Sequence, residues 1–206
     1  MNQNFKKRIT HVDKPETHHD LLSGLNESLK NWRDYSDIIV VCIGTDRSSG
    51  DCVGPLVGYL MENKLKVIKL YGTLENPVHA LNLEDTVKKI KETYENPFVI
   101  AVDACLGKVE SIGFILMDIG SIRPGSAVGK ELPNIGNYSI KGIVNVSGSG
   151  GYLESLVLQN TRLNLVMKMS NIIADSIIKA DKRLYQNEQR RTKRSLSKLM
   201  KEALIV

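Results

Sequence analysis

The sequence predicts an α/β fold, a single three-layer α/β/α domain with a mostly parallel sheet and a mixed second half. Three observations carry this. DIIVVCI (37–43) and PFVIAVDA (97–104) are continuous apolar runs, the pattern of strands buried on both faces. Helical and extended segments alternate between them, which implies parallel strands joined by crossover helices. After residue 105 the rhythm changes to strand-like segments separated by turns.

In order along the chain, residues 1–17 read as a flexible N-terminal arm. Residues 18–32 place Leu21, Leu22, Leu25, Leu29 and Trp32 on one helical face. The strand 37–43 is followed by a helix from about Gly54 to Asn63, with Pro55 suited to its first turn. KVIKLYG (66–72) reads as a strand, and residues 80–93 as a helix with Leu81, Val87 and Ile90 turned inward. The strand 97–104 leads through a short LGKVE turn to SIGFILMDI (111–119), expected as its hairpin partner. A Gly- and Pro-rich loop spans 120–137, and YSIKGIVNV (138–146) reads as another strand. SGSGG (147–151) then opens one long helix, 152–180, with Leu153, Leu156, Val157, Leu163, Met167, Ile173 and Ile177 on its apolar face. The domain thus ends near residue 181, and 182–206 is a basic tail in which Leu196, Leu199, Met200, Ala203 and Leu204 fit a short helix.

A chain of 206 residues can bury a substantial core, removing roughly 70% of its unfolded surface from water. No apolar stretch approaches the roughly 20 residues that span a bilayer, so no membrane role is expected. The N-terminal MNQNFKKRIT has no apolar signal region. Three cysteines, Cys42, Cys52 and Cys105, fall in or beside core elements without a CxxC pair, as reduced thiols in a cytoplasmic protein would. The net charge of +5 is uneven: residues 182–206 carry eight Lys or Arg against two Glu, a net +6, which leaves the body at −1. The body therefore lacks the electrostatic footprint of a nucleic-acid binder. The tail is left open to self-association or to an anionic partner.

The loop IGTDRSSGDCVGP (43–55) has the look of a phosphate cradle. A P-loop needs a lysine after its second glycine, but Asp51 follows Gly50. The dinucleotide fingerprint needs a second glycine where Thr45-Asp46 stands. A carboxylate at that place repels phosphate, so the loop presents acids.

Asp51 either caps the following helix or serves chemistry. Asp103 ends the run FVIAVD, and ligands of open α/β sheets bind outside the carboxyl ends of the strands. Both acids would then meet in one crevice, with Asp46 as a third member or a turn-former. Two carboxylates about 4 Å apart repel by roughly 4 kcal/mol at an effective dielectric near 20, enough to keep one protonated near neutrality. One acid and one base sharing a water is the arrangement that cleaves peptide bonds in aspartic proteases. The same pair is also open to a divalent cation, with His79 as the core's one histidine and the remaining candidate ligand. Ser48 and Ser49 lack the G-x-S-x-G context of a nucleophile, and Cys105 has no histidine near it in sequence. Ser147 and Gly148, in SGSGG, offer backbone amides to an oxyanion or form a plain turn.

The segments IGTDRSSGDCVGP, YGTLENPVHALNL, VDACLG, RPGSAVGKELPNIG, GIVNVSG and VLQNTRL, in this order between about residues 20 and 180, closely resemble the YyaC-type sporulation proteins of endospore-forming bacteria. That family is similar to the germination protease that degrades small acid-soluble spore proteins, and more distantly to hydrogenase maturation endopeptidases. The resemblance implies a phosphorylase/hydrolase-like fold. It implies Asp51 and Asp103 as catalytic acids, with Gly44, Asp46 and Gly50 in the supporting loop. It further implies a protein substrate, small acid-soluble spore proteins among them, in the mother cell or forespore. No resident cofactor is expected, with the acid pair left open to a divalent metal. The chain departs from both relatives in having Asp46 where they have Asn, and no histidine follows GIVNVSG where a nickel ligand would stand. The expectation is an endopeptidase working through a carboxylate pair. The alternative is a peptidase-fold protein that binds or regulates without turnover.

Overall fold

A computed structural model describes residues 7–124, 132–148 and 152–203. Six strands form one sheet: β1 (Arg8–His11), β2 (Ile38–Cys42), β3 (Lys69–Tyr71), β4 (Phe98–Gly107), β5 (Phe114–Ile119) and β6 (Tyr138–Val146). Their order is β1-β5-β6-β4-β2-β3. β3, β2, β4 and β6 run parallel, whereas β5 is antiparallel to β6 and β1 is antiparallel to β5. The fold is therefore the expected α/β domain with a mostly parallel sheet and a mixed second half.

The helices α1 (Thr17–Ser28), α2 (Val53–Met61), α3 (Leu83–Thr93), α4 (Tyr152–Gln159) and α5 (Leu163–Ala203) complete the chain. The pleat of the sheet divides the core. Val40, Cys42, Ile100 and Val102 face the cluster built with α1, α2 and α5, while Ile39, Val41, Val99 and Ala101 face the cluster containing Leu83 and Ile90 of α3. These two clusters make the three layers.

Several elements differ from expectation. Residues 8–11, left in a flexible arm by the sequence, form the edge strand β1; its short, half-polar RITH gives too weak an alternation to be read. β5 does not form a hairpin with β4. β6 takes the place beside β4, and β5 pairs on the far side of β6. The helix expected over 152–180 is broken between Gln159 and Leu163, where the Ser49 hydroxyl lies 2.8 Å from the Thr161 carbonyl and donates to it. The break shifts the buried phase of α5 to Val166, Met169, Ile173 and Ile177, with Leu153 and Leu163 exposed. Residues 182–203 are no separate tail, because α5 runs through them without interruption. Leu81 precedes α3 and is 76% exposed instead of inward.

Candidate active site

β2 ends at Cys42 opposite Val102, one residue before Asp103. β4 itself continues to Gly107 against β6, so Asp103 lies within the strand and not at its end. It opens onto a crevice because its neighbour on one side has stopped. Asp103 follows the phase of Val99 and Ala101, which aims it toward the α3 side of the sheet.

The loop after β2 folds back over this gap. Gly44 has φ +137°, a region that L side chains rarely adopt, and a Cβ there would stand 1.9 Å from the Asp51 carbonyl oxygen. The Gly44 amide donates to the Val78 carbonyl and the Thr45 amide to the Asp51 carbonyl, closing the loop on itself. Asp51 sits in a short 3-10 turn, Gly50–Cys52, ahead of α2. No side chain caps α2, so the helix-capping reading of Asp51 is not the one adopted. Gly50 packs under α4, where a Cβ would meet the Thr161 Oγ1 at 2.6 Å and the Leu158 carbonyl at 2.8 Å.

The result is a cavity of about 300 Å³ lined by both acids. Its other polar lining comes from Thr45, Arg47, Ser48, His79, Ser155 and Gln159, and its apolar wall includes Ile43, Leu81 and Leu158. An isolated Ile43–Val78 bridge carries the turn containing His79 to this edge. The His79 Nδ1 accepts the Leu81 amide at 3.3 Å, which leaves Nε2 to hold the proton of a neutral ring. The Ser48 hydroxyl is buried without a partner among the described residues, so it retains a hydrogen bond to give.

The two acids have unequal environments. Burial pushes Asp51 up to about 6, eased by the Thr45 backbone. Asp103 is raised well above the ordinary carboxylate range, first by burial and then by the charge of Asp51. The Ala104 amide, donating to its Oδ1 at 2.8 Å, and Lys141, its register partner on β6, only partly offset this. Asp103 therefore holds its proton more firmly, and Asp51 ionises first.

Gly44, Asp51, Asp103 and His79 thus come together. Gly50 acts one layer back, by letting α4 approach. Asp46 is exposed on the loop and does not line the cavity. Ser147 and Gly148 are exposed too; the Ser147 hydroxyl lies 3.2 Å from Glu154, and neither residue lines the cavity. The rest of SGSGG, residues 149–151, lies outside the described residues. Among the described residues no three His, Cys, Asp or Glu side chains are grouped to hold a metal ion, even though His79, Asp51 and Asp103 share one cavity. Burial raises the Cys105 thiol to about 11, so it is no thiolate nucleophile at neutral pH.

Arg47, Ser155 and Gln159 were not anticipated. Arg47 belongs to the loop 43–55, where the two acids are the stronger sequence signal. Ser155 and Gln159 reach the cavity only because α4 ends at the loop, an arrangement without a local sequence signal.

The chain is 45% identical over 188 residues to "Uncharacterized protein YyaC" of Bacillus subtilis (strain 168), across 91% of this chain and 89% of that protein. This supports the resemblance to YyaC-type proteins. Among solved structures it is similar to the [NiFe] hydrogenase maturation protease HycI from Thermococcus kodakarensis KOD1, with a TM-score of 0.48 and 17% identity, over 77% of this chain and 98% of that one. The model of the family described as "Protein of unknown function (DUF1256)" matches residues 9–176, and the chain belongs to that family.

Proposed function

We propose that the protein is a sporulation-associated endopeptidase that hydrolyses peptide bonds with Asp51 and Asp103 as an unequal acid pair. The observation that carries this reading is the pair itself. Two carboxyl groups line one cavity, one ionising near 6 and the other held protonated. Pairs whose environments drive their pKa values apart supply a base and an acid at the same pH.

In this mechanism ionised Asp51 takes a proton from water as the water oxygen attacks the scissile carbonyl carbon. Protonated Asp103 donates to the carbonyl oxygen as the C=O bond becomes a single bond. The tetrahedral intermediate collapses by returning that proton to Asp103. The C–N bond breaks as the leaving amine takes the proton from Asp51. Leu81, Leu158 and Ile43 offer an apolar wall to a substrate side chain.

The test is incubation of the full chain with small acid-soluble spore proteins, beside Asp51→Asn and Asp103→Asn. Cleavage by the native chain and its loss in both folded variants is expected. Full cleavage by either variant overturns the mechanism, and binding without any cleavage favours the regulatory alternative.

A further inference from the structure

α5 contains 41 residues and extends for roughly 60 Å. Its first half packs on the domain through Val166, Met169, Ile173, Ile177 and Ala180, and Leu184 is its last buried side chain among the described residues. Beyond Leu184 the helix goes on to Ala203. The described side chains from Tyr185 to Ser197 are exposed, apart from partly covered Glu188. Such an extension is not explained by core packing, since its described side chains bury almost nothing.

Its chemistry is one-sided. Arg183, Arg190 and Arg194 recur at intervals of seven and four, so they form one row along the helix, with Arg191 and Lys193 beside it. In the sequence Lys198 and Lys201 follow Arg194 by four and seven residues. Between residues 182 and 201 the one acid is Glu188, and it is already bound by Arg33 at 2.9 Å. Arg183, Arg190, Arg191, Lys193 and Arg194 therefore have no ion-pair partners among the described residues.

We propose that the C-terminal extension of α5 is a docking helix for duplex DNA. The row is rich in arginine, whose planar fork suits phosphate oxygens. Gln186 and Asn187, which flank the row on the same side of the helix, are side-chain types that donate to phosphates and read base edges. A lone helix about 10–12 Å across fits the major groove of B-DNA, about 12 Å wide, whereas the deep, narrow groove of duplex RNA does not admit it. A membrane surface would need a continuous apolar face, but from Gln186 to Ser195 no side chain is apolar, and beyond it the exposed apolar side chains among the described residues are Leu196 and Met200, a single turn at the far end. A second copy of the chain would set a +6 segment against another. This inference is independent of whether the cavity cleaves peptides.

The test is fluorescence anisotropy of a labelled mixed-sequence DNA duplex of about 20 base pairs, titrated with the full chain between about 50 and 200 mM NaCl. Binding with a Kd on the order of micromolar and a steep loss with salt is expected. The triple variant Arg190→Gln/Arg191→Gln/Arg194→Gln should weaken binding roughly tenfold or more and reduce the slope of log K against log salt by about three. Its melting temperature should stay unchanged, because these side chains are exposed. Parallel titrations use an RNA duplex of equal length, polyglutamate, and vesicles of phosphatidylcholine with phosphatidylserine. No DNA binding at the lowest salt, an unaffected triple variant, or tighter binding to any of those three ligands overturns the proposal.

Discussion

Asp103 keeps its proton in part because it faces the charge of Asp51 across their shared cavity. The relation is unequal. Asp51 is raised by burial alone, to about 6, and ionises while Asp103 is still neutral. The window in which one is base and the other acid therefore begins near pH 6. Hydrolysis should rise through about pH 6 as Asp51 ionises, and fall again at higher pH as Asp103 loses its proton. A kcat/KM profile measures both limbs. A rate that does not change through pH 6 would remove Asp51 from the role of base. Asp51→Asn and Asp103→Asn should each lower kcat by roughly 10²-fold or more.

The same shift has a consequence for stability that needs no substrate. The folded protein holds the Asp51 proton more tightly than the unfolded chain, whose Asp titrates near an ordinary value of about 3.9. The stabilisation that this proton confers is complete below that value and is lost as pH rises through about 6. The loss amounts to about 2–3 kcal/mol. Asp51→Asn should therefore melt close to the native chain near pH 4 and at a higher temperature above pH 7. Equal melting temperatures at both pH values would contradict burial as the cause of the shift.

The acid pair was legible in the sequence because two buried strands announce themselves as apolar runs, and each acid follows such a run at the carboxyl end of a parallel sheet. The apolar run stops at Asp103 and so marks a strand end in the sequence, although the pairing with β6 continues to Gly107. What was not legible depends on contacts between distant segments. The break before α5 comes from Ser49 and Asn145, which engage the Thr161 carbonyl and hydroxyl from the first loop and from β6. Without that break the apolar positions of 152–180 read as one continuous face, whereas the break sets α5 in a different phase, with Val166 and Met169 buried. The place of β5 was illegible for a similar reason. A turn after β4 suggests a hairpin, and only the parallel return of β6 displaces it.

Gly44 is the position at which the loop tolerates least. A methyl group there would combine a disfavoured φ with a contact of 1.9 Å to the Asp51 carbonyl. The contact is with backbone, so no side chain can swing away. Gly44→Ala should destabilise the fold by roughly 2–3 kcal/mol and displace Asp51. Thermal melting gives the first effect. The second should appear as a loss of the Asp51-dependent change in stability between pH 4 and 7.

Asp181 offers the complementary case, a buried acid with a purely structural task. Its side chain is 1% exposed, and its Oδ1 accepts the amides of Val67 and Ile68 while Oδ2 accepts that of Lys66, each at 2.8 Å. Those residues lead into β3 from the end of the sheet opposite the cavity, so α5 is tied there to the edge strand. Asp181→Ala would strand three amides, at a cost of about 3–5 kcal/mol. Asp181→Asn should cost less, since its oxygen can still serve Val67 and Ile68 while its NH2 group meets the Lys66 amide donor to donor. Chemical denaturation should rank native above Asn above Ala. Hydrogen exchange should show the amides of residues 66–68 deprotected in the Ala variant. Because the tie lies away from Asp51 and Asp103, any peptide hydrolysis per folded molecule should be unchanged below the melting transition. A selective loss of that activity would mean that α5 transmits strain to the cavity.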